Sequence, residues 1–292
     1  KRFDDAKKIA ETINHPSERA LALYLCCEAT NQTNLAVSSI NSMNERLGML
    51  PFPENWLNSK LKFNSLPQTV NQLQFEQQHN ELVSVILTTH KWNKFLPTAL
   101  NSILNQTHTN FELIVVDDYS PIEDVKLYDK IMNDPRIKRV RMKNNSGTYE
   151  CRNIGIKASK GKFVTFADSD DWMHPQKLEY SLTTLKKNNI SLVINRFVRI
   201  SEGGNIWFNG NKLSQFSLVG MMVSVEKLNE FDLKFDGRAR FGADSEFLER
   251  AELLFGASEI KRTNFVELLA LHHDDSLTGG GPNSIDWTGP GG

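Results

Sequence analysis

From residue 83 onward, short runs of branched apolar residues alternate with segments whose apolar positions recur every three to four residues. The run 83–87 (VSVIL) has the composition of a buried strand, and 94–106 has helical spacing. Residues 111–116 (FELIVV) form a second such run, followed by a helical pattern near 122–133 and a strand over 137–142. A helix over 148–159 opens after Gly147, and 162–166 (KFVTF) is a fourth strand, with another helix starting near Pro175. A last apolar strand covers 266–271 (VELLAL). This alternation predicts an α/β domain with a mostly parallel sheet and helices on both faces. Ligands of such sheets bind beyond the carboxyl ends of the strands. The polar clusters fall there: Thr88-Thr89-His90, Asp117-Asp118 and Asp168-Ser169-Asp170-Asp171.

The first 50 residues read differently. Ala6, Ile9, Ala10 and Ile13 recur at helical spacing, His15-Pro16-Ser17-Glu18 interrupts and restarts the pattern, and further apolar stretches run over 20–27 and 35–47. A small all-α unit is expected over 1–50, serving docking or oligomerisation, or simply packing. Residues 51–80, with prolines, scattered aromatics and a Gln/Asn-rich end, are expected as a linker, and 279–292 as a flexible Gly-rich tail. The α/β domain then takes 81–278.

With 34 Lys plus Arg against 35 Asp plus Glu, there is no electrostatic basis for broad nucleic-acid binding. No run of 18 apolar residues exists to span a membrane, and the start, KRFDDAKK, has no apolar signal core and no initiator Met, which suggests a fragment of a longer chain. Cys26, Cys27 and Cys151 have neither a disulfide framework nor metal-ligand spacing, so reduced thiols and a cytoplasmic location, with room for peripheral association at the inner membrane face, are expected.

The acidic stretch 168–171 carries the most chemistry. Three carboxylates within four residues repel one another unless a cation or hydrogen-bond donors neutralise them. Mg2+ takes one or two protein carboxylates together with substrate phosphates, so the cluster suits a metal shared with a diphosphate. Its simpler alternative is an aspartate capping the helix near Pro175.

Three stretches in order, VSVILTTHKWNKFLPTALNSILNQT, FELIVVDDYS and NNSGTYECRNIGIKASKGKFVTFADSDD, resemble the nucleotide-binding half of a family 2 glycosyltransferase of the GT-A fold. The resemblance is close over about a third of the chain and extends more weakly to residue 278. It implies a nucleotide-sugar half over 81–190 and an acceptor half over 191–278. It also implies a UDP-sugar donor, a saccharide or lipid-linked saccharide acceptor of the bacterial surface-polysaccharide type, and Mn2+ or Mg2+. By the same resemblance Thr88 and His90 contact the uracil, Asp118 accepts a hydrogen bond from the base, and Asp117 orients the turn. Arg152 faces the phosphates or base while Asn153 packs its helix; Asp168 holds the ribose and approaches the metal, and Asp170 ligates it with Asp171 behind.

In the second half, Arg240 to Phe247 (RFGADSEF) resembles the G-x-D-x-E/D-F/L stretch that opens a helix and supplies the general base. Asp244 is the candidate, with Glu246 in reserve; a capping role for Asp244 is the alternative. His272-His273-Asp274-Asp275-Ser276-Leu277-Thr278 resembles the closing H-x-x-S-x-T pattern, and His273 would touch the metal or diphosphate. Departures are His90 in place of an aromatic or Asn-type residue, Tyr119 in place of a small turn residue, Cys151 for Ala and Ala243 for Glu. The implied activity is an inverting transfer of sugar. A GT-A domain without turnover that binds a glycan or acts as a scaffold is one alternative. A sugar nucleotidyltransferase is another, but no Gly-rich, Lys-bearing phosphate loop stands near the first strand.

Overall fold

A computed structural model describes residues 2–14, 19, 22–23, 26, 79–202, 206–207 and 214–273. In chain order the elements are α1 (Arg2–Glu11), β1 (Val83–Thr89), α2 (Leu96–Leu104), β2 (Phe111–Asp117), α3 (Ile122–Ile131), β3 (Ile137–Arg141), α4 (Thr148–Ala158) and β4 (Phe163–Asp168). They continue with β5 (Trp172–Met173), α5 (Lys177–Asn188), β6 (Leu192–Ser201), β7 (Ile206–Trp207), β8 (Gln215–Phe216), β9 (Met222–Ser224), α6 (Val225–Glu230), α7 (Ala243–Phe255) and β10 (Ile260–His272). The chain divides into two compact units: a larger one of Gln74–Asn195 and Phe216–Thr263, and a smaller one of Lys1–Leu73, Arg196–Gln215 and Asn264–Gly292.

In the larger unit β3, β2, β1 and β4 lie side by side and parallel, with Thr88 paired to Asp168 and Thr89 to Asp117 in register. β9 then runs antiparallel to β4 and to the start of β6, which makes the sheet mixed. Every residue of β1 is buried, as expected for a central strand covered on both faces. Alternation along the strands sends Ile86, Val164 and Phe166 to one face, where they pack with Tyr149 and Cys151 of α4, Phe235, and Phe247, Ala251 and Phe255 of α7. On the other face Lys177 of α5 donates to the Thr165 hydroxyl at 2.7 Å. α4 lies close on β1 because Gly155 has no side chain there: a Cβ would stand 2.4 Å from Ile86 Cγ2.

Helix starts are set locally. The Asn93 side chain accepts from the amides of Phe95 and Leu96 at 2.9 and 2.8 Å, and Pro97 enters where no amide is needed. α5 ends on Asn189 in the left-handed conformation, φ +50°.

Observed elements match the expected alternation, with boundary differences. β1 runs two residues past the expected 83–87, so Thr88 and Thr89 are strand residues. β10 starts at Ile260, ahead of the expected 266, because its first residues are exposed or half-buried and carry no apolar run.

The smaller unit contains α1, with Asp4 and Asp5 in its first turn where negative charge suits the helix dipole. The later part of β6 pairs antiparallel with β7 there. The remaining helices expected within 1–50, residues 51–78 of the linker expected over 51–80, and the tail over 279–292 lie outside the described residues, apart from residues 19, 22–23 and 26.

Candidate active site

The carboxyl ends of β1, β2 and β4 bring Thr88, Asp117 and Asp168 to one edge. Asp117 holds the turn, as the sequence leads one to expect: its Oδ1 accepts from the Ser120 amide at 3.0 Å and from the Ser120 hydroxyl. Arg141 stands 3.6 Å from its other oxygen.

Asp118 faces the segment that enters α4. Its two oxygens accept from the amides of Ser146 and Gly147 at 2.7 and 2.8 Å. His90 Nδ1 lies 2.7 Å from the Asp118 carbonyl oxygen and Nε2 lies 3.2 Å from Asn145 Nδ2. Since the carbonyl can only accept, Nδ1 carries the proton and Nε2 accepts from the amide. Three loops are thereby joined through two side chains.

Thr88 is buried. Its hydroxyl lies 2.8 Å from that of Thr148 and donates to Asp168 Oδ1 at 3.4 Å, so its partners in the protein are the end of β4 and the start of α4. Arg152 is also buried, its side chain only 2% exposed, and its Nη2 donates to Asp168 Oδ1 at 3.0 Å. The guanidinium carbon sits 5.4, 5.8 and 5.6 Å from the ring centroids of Tyr149, Phe166 and Phe235. Three rings and one carboxylate therefore enclose Arg152, and its Nε makes no hydrogen bond. This environment directs the side chain at Asp168. Burial, the largest influence on Asp168, raises its pKa; the Arg152 charge opposes this, and the charges of Asp170 and Asp244 raise it further.

The acidic turn does not finish a helix. The Asp171 amide donates to the Asp168 carbonyl at 3.4 Å, Ser169 Oγ accepts from Asn93 at 2.9 Å, and β5 follows before α5 begins after Gln176. The side chain of Gln176 does not cap α5; the first-turn amide of Leu178 donates to Gln106 Oε1 at 3.1 Å. Among the described residues no group of three or more His, Cys, Asp or Glu side chains is arranged to hold a metal. Asp168 and Asp170 fit the sparser mode of a hard divalent ion, with one or two protein carboxylates and the rest from phosphates and water.

Asp244 lies in the first turn of α7, whose N-cap is Gly242 in the left-handed conformation, φ +78°. Asp244 Oδ1 accepts from the Ser245 amide at 3.1 Å and from the Tyr149 hydroxyl at 3.2 Å. Glu246 is exposed and engages Arg250 one turn on, its Oε2 accepting from Nη2 at 2.8 Å; this pair holds its pKa below the usual carboxylate range. Asn153 fastens the segment before α7 to α4, exchanging two 2.9 Å hydrogen bonds with the backbone of Phe235. His273 belongs to the smaller unit, and residues 274–278 of its motif lie outside the described residues.

Sequence reasoning singled out the strand-end residues but not Thr148, Tyr149 or Phe235. Their roles come from contacts across 60 to 95 positions, and no local pattern marks them.

A mixed sheet with parallel strands ending in carboxylates, and a helix bridging to a second acidic segment, define the GT-A class of Rossmann-like domains. The model of glycosyl transferase family 2 matches residues 84–241, more than half of the chain, and the protein belongs to that family. It is 31% identical over 147 residues to the UDP-Glc:alpha-D-GlcNAc-diphosphoundecaprenol beta-1,3-glucosyltransferase WfgD of Escherichia coli, covering 50% of this chain and 53% of that one. It is 37% identical over 128 residues to the poly(ribitol-phosphate) beta-N-acetylglucosaminyltransferase TarP of Staphylococcus aureus, covering 42% and 39%. Residues 1–349 of S. aureus TarS in complex with UDP-GlcNAc share the fold, with a TM-score of 0.57 at 22% identity over 66% of this chain and 59% of that chain. The chain spans about half, or less, of the length of these curated relatives. No helix among the described residues is long and apolar enough to cross a membrane.

Proposed function

We propose that the protein is a metal-dependent, inverting glycosyltransferase that moves a sugar from a UDP-linked donor to a hydroxyl of a saccharide or lipid-linked saccharide. One observation carries this reading: a single turn of α4 holds both Asp168, through Arg152, and Asp244, through Tyr149. Two carboxylates from distant segments thus meet one helix, one suited to a cation and one to a proton. The names of WfgD and TarP, and the UDP-GlcNAc bound to TarS, support a UDP-sugar donor and an acceptor of the bacterial surface-polymer type.

Asp168 and Asp170 are the residues that would hold Mn2+ or Mg2+ against the donor diphosphate. When bound, the ion supplies charge neutralisation for the departing nucleotide. Arg152 keeps the Asp168 carboxylate aimed at that position and opposes the rise of its pKa. His90 and Asp118 shape the base end of the cleft. Asp244 accepts the proton of the acceptor hydroxyl as it attacks the anomeric carbon from the face opposite the leaving group, which inverts the centre. Positive charge develops on the sugar ring during the displacement. A lipid-linked acceptor would bring the protein to a membrane surface.

The test is UDP release from UDP-glucose and UDP-GlcNAc, with and without Mn2+ and saccharide acceptors. Turnover that requires Mn2+ and fails in Asp170→Ala and Asp244→Asn, both folded, is expected. Full activity in either variant removes that residue from the mechanism. UDP binding with no turnover on any donor leaves the family's fold serving as a glycan-binding module.

A further inference from the structure

Asp244 has a partner that none of the strand-end motifs contains. Tyr149 projects from the first turn of α4, and its hydroxyl donates to Asp244 Oδ1 at 3.2 Å. The Tyr149 ring is stacked on Phe235, 5.8 Å between centroids, and Phe235 is stacked in turn on Phe247 at 4.4 Å. Phe247 lies on α7, three residues past Asp244 and therefore on the adjoining face of the same helix. The ring is thus clamped from the side of α4 and from the side of α7, and its hydroxyl has a fixed direction.

The phenol also stays a donor. Burial and the Asp244 charge push its pKa up to about 12, so across any working pH it presents O–H to the carboxylate. The Arg152 guanidinium lies 5.4 Å from the ring centroid on the same helix, so the residue that holds Asp168 also packs against the residue that holds Asp244. A carboxylate has two oxygens and can be fixed by one donor while the other accepts a substrate proton.

We propose that Tyr149 is a positioning residue of the transfer reaction: its hydroxyl fixes the rotamer of Asp244 so that the second carboxylate oxygen meets the acceptor hydroxyl. The proposal rests on the reading of Asp244 as the base. No covalent step is assigned to the phenol. Its role is geometric, and misplacement of a base by a fraction of an ångström is enough to slow proton transfer.

A double-mutant cycle tests it. Tyr149→Phe keeps the ring, its stacking and its place under Arg152 while deleting the donor. UDP release from UDP-glucose and UDP-GlcNAc is measured for the wild type, Tyr149→Phe, Asp244→Asn and the double variant, together with the dissociation constant for UDP in the presence of Mn2+. The expected result is a kcat lowered roughly tenfold in Tyr149→Phe, the order of one hydrogen bond to a charged group, with donor KM and UDP affinity unchanged. In the Asp244→Asn background the same substitution is expected to leave the residual UDP release and the UDP affinity unchanged. A merely structural tyrosine would lower activity equally in both backgrounds or weaken UDP binding, and either result overturns the proposal. Wild-type kcat in Tyr149→Phe overturns it as well. Full turnover in Asp244→Asn refutes instead the assignment of the base, and a wild-type protein that releases UDP from neither donor refutes the functional reading; the positioning role falls with both.

Discussion

Replacing Arg152 with methionine isolates the charge at the centre of the site. Methionine is unbranched and of nearly the same reach, so the volume between Tyr149, Phe166 and Phe235 remains filled, and sulfur–ring contacts of about 0.3–1.5 kcal/mol stand in for cation–ring contacts of about 0.5–2 kcal/mol. Packing is therefore close to balanced, and what is lost is the counter-charge of Asp168. Removing one partner of a buried pair costs about 3–5 kcal/mol. Arg152 is 2% exposed but the Asp168 side chain keeps 34% of its exposure, so water recovers part of that, and we expect a net destabilisation of about 2–3 kcal/mol at pH 7. The effect carries a pH signature. Burial already raises the Asp168 pKa above its unfolded value, so the native state binds the extra proton and stability falls as pH rises from the unfolded value through the folded one. Arg152 is the influence that opposes this rise. Without it the folded pKa climbs further and the loss persists to higher pH. Urea unfolding followed by tryptophan fluorescence, with buried Trp172 as a reporter, should show a gap between wild type and Arg152→Met that is larger at pH 7 than at pH 4, narrowing as the carboxyl is protonated. A gap of the same size at both pH values, or one under about 1 kcal/mol at pH 7, refutes the assignment of Arg152 as the counter-charge of Asp168.

Three further outcomes follow from particular contacts. Gly161→Ala places a Cβ 2.6 Å from the Ser84 amide nitrogen and 2.9 Å from the Leu82 carbonyl, backbone atoms that cannot step aside, and should cost roughly 1–3 kcal/mol in urea titration; an unchanged midpoint would show that the strand yields. Cys151 is fully buried beside Asp118 and its thiol is pushed well above the ordinary range, chiefly by burial, so peptide mapping should find it unmodified by iodoacetamide at pH 8 in native protein and labelled after denaturation. Glu246→Gln breaks only an exposed pair with Arg250 and should leave UDP release within about twofold of wild type, with a stability change under about 0.5 kcal/mol; loss of turnover comparable to Asp244→Asn would move the base to Glu246.

The parts of this site that could be read from the chain are those made by neighbours in sequence. A strand of branched residues that ends in Asp117-Asp118, or in Asp168 followed by two more acids, places its carboxylates by strand length alone, and parallel alternation puts those ends on one edge. The turn at Asp117 is likewise local, closed by Ser120 three residues on. Other residues took partners no nearby pattern specifies. Thr88 turns inward to Thr148 and Asp168 because β1 continues as strand to Thr89, which the fading apolar character after Leu87 conceals. Arg152 lies among three rings because Phe166 alternates onto the α4 face and Phe235 arrives from a segment fastened by Asn153; neither fact is visible in the spacing around residue 152.

The helix-cap alternatives illustrate how one composition can support two structures. An aspartate ahead of a helix stabilises it by accepting from orphan amides, and both Asp168–Asp171 and Asp244 stand within a few residues of a helix start. In the first case the chain inserts β5 and begins α5 after Gln176, and the first-turn amide of Leu178 is met by Gln106 Oε1. In the second, Gly242 in a left-handed conformation turns the chain into α7, and Asp244 enters the first turn with an oxygen accepting from Tyr149. A cap needs its carboxylate directed at its own helix. Here Asp168 faces Arg152, and Asp244 Oδ1, besides accepting from the Ser245 amide of its own helix, accepts from a hydroxyl of the same α4, so both acids are tied to α4. The Asp244 charge adds to the electrostatic cost of an ionised Asp168. Burying that charge adds no stability, and a carboxylate whose pKa is raised in part by a second carboxylate is what the proposed handling of a cation and a proton calls for.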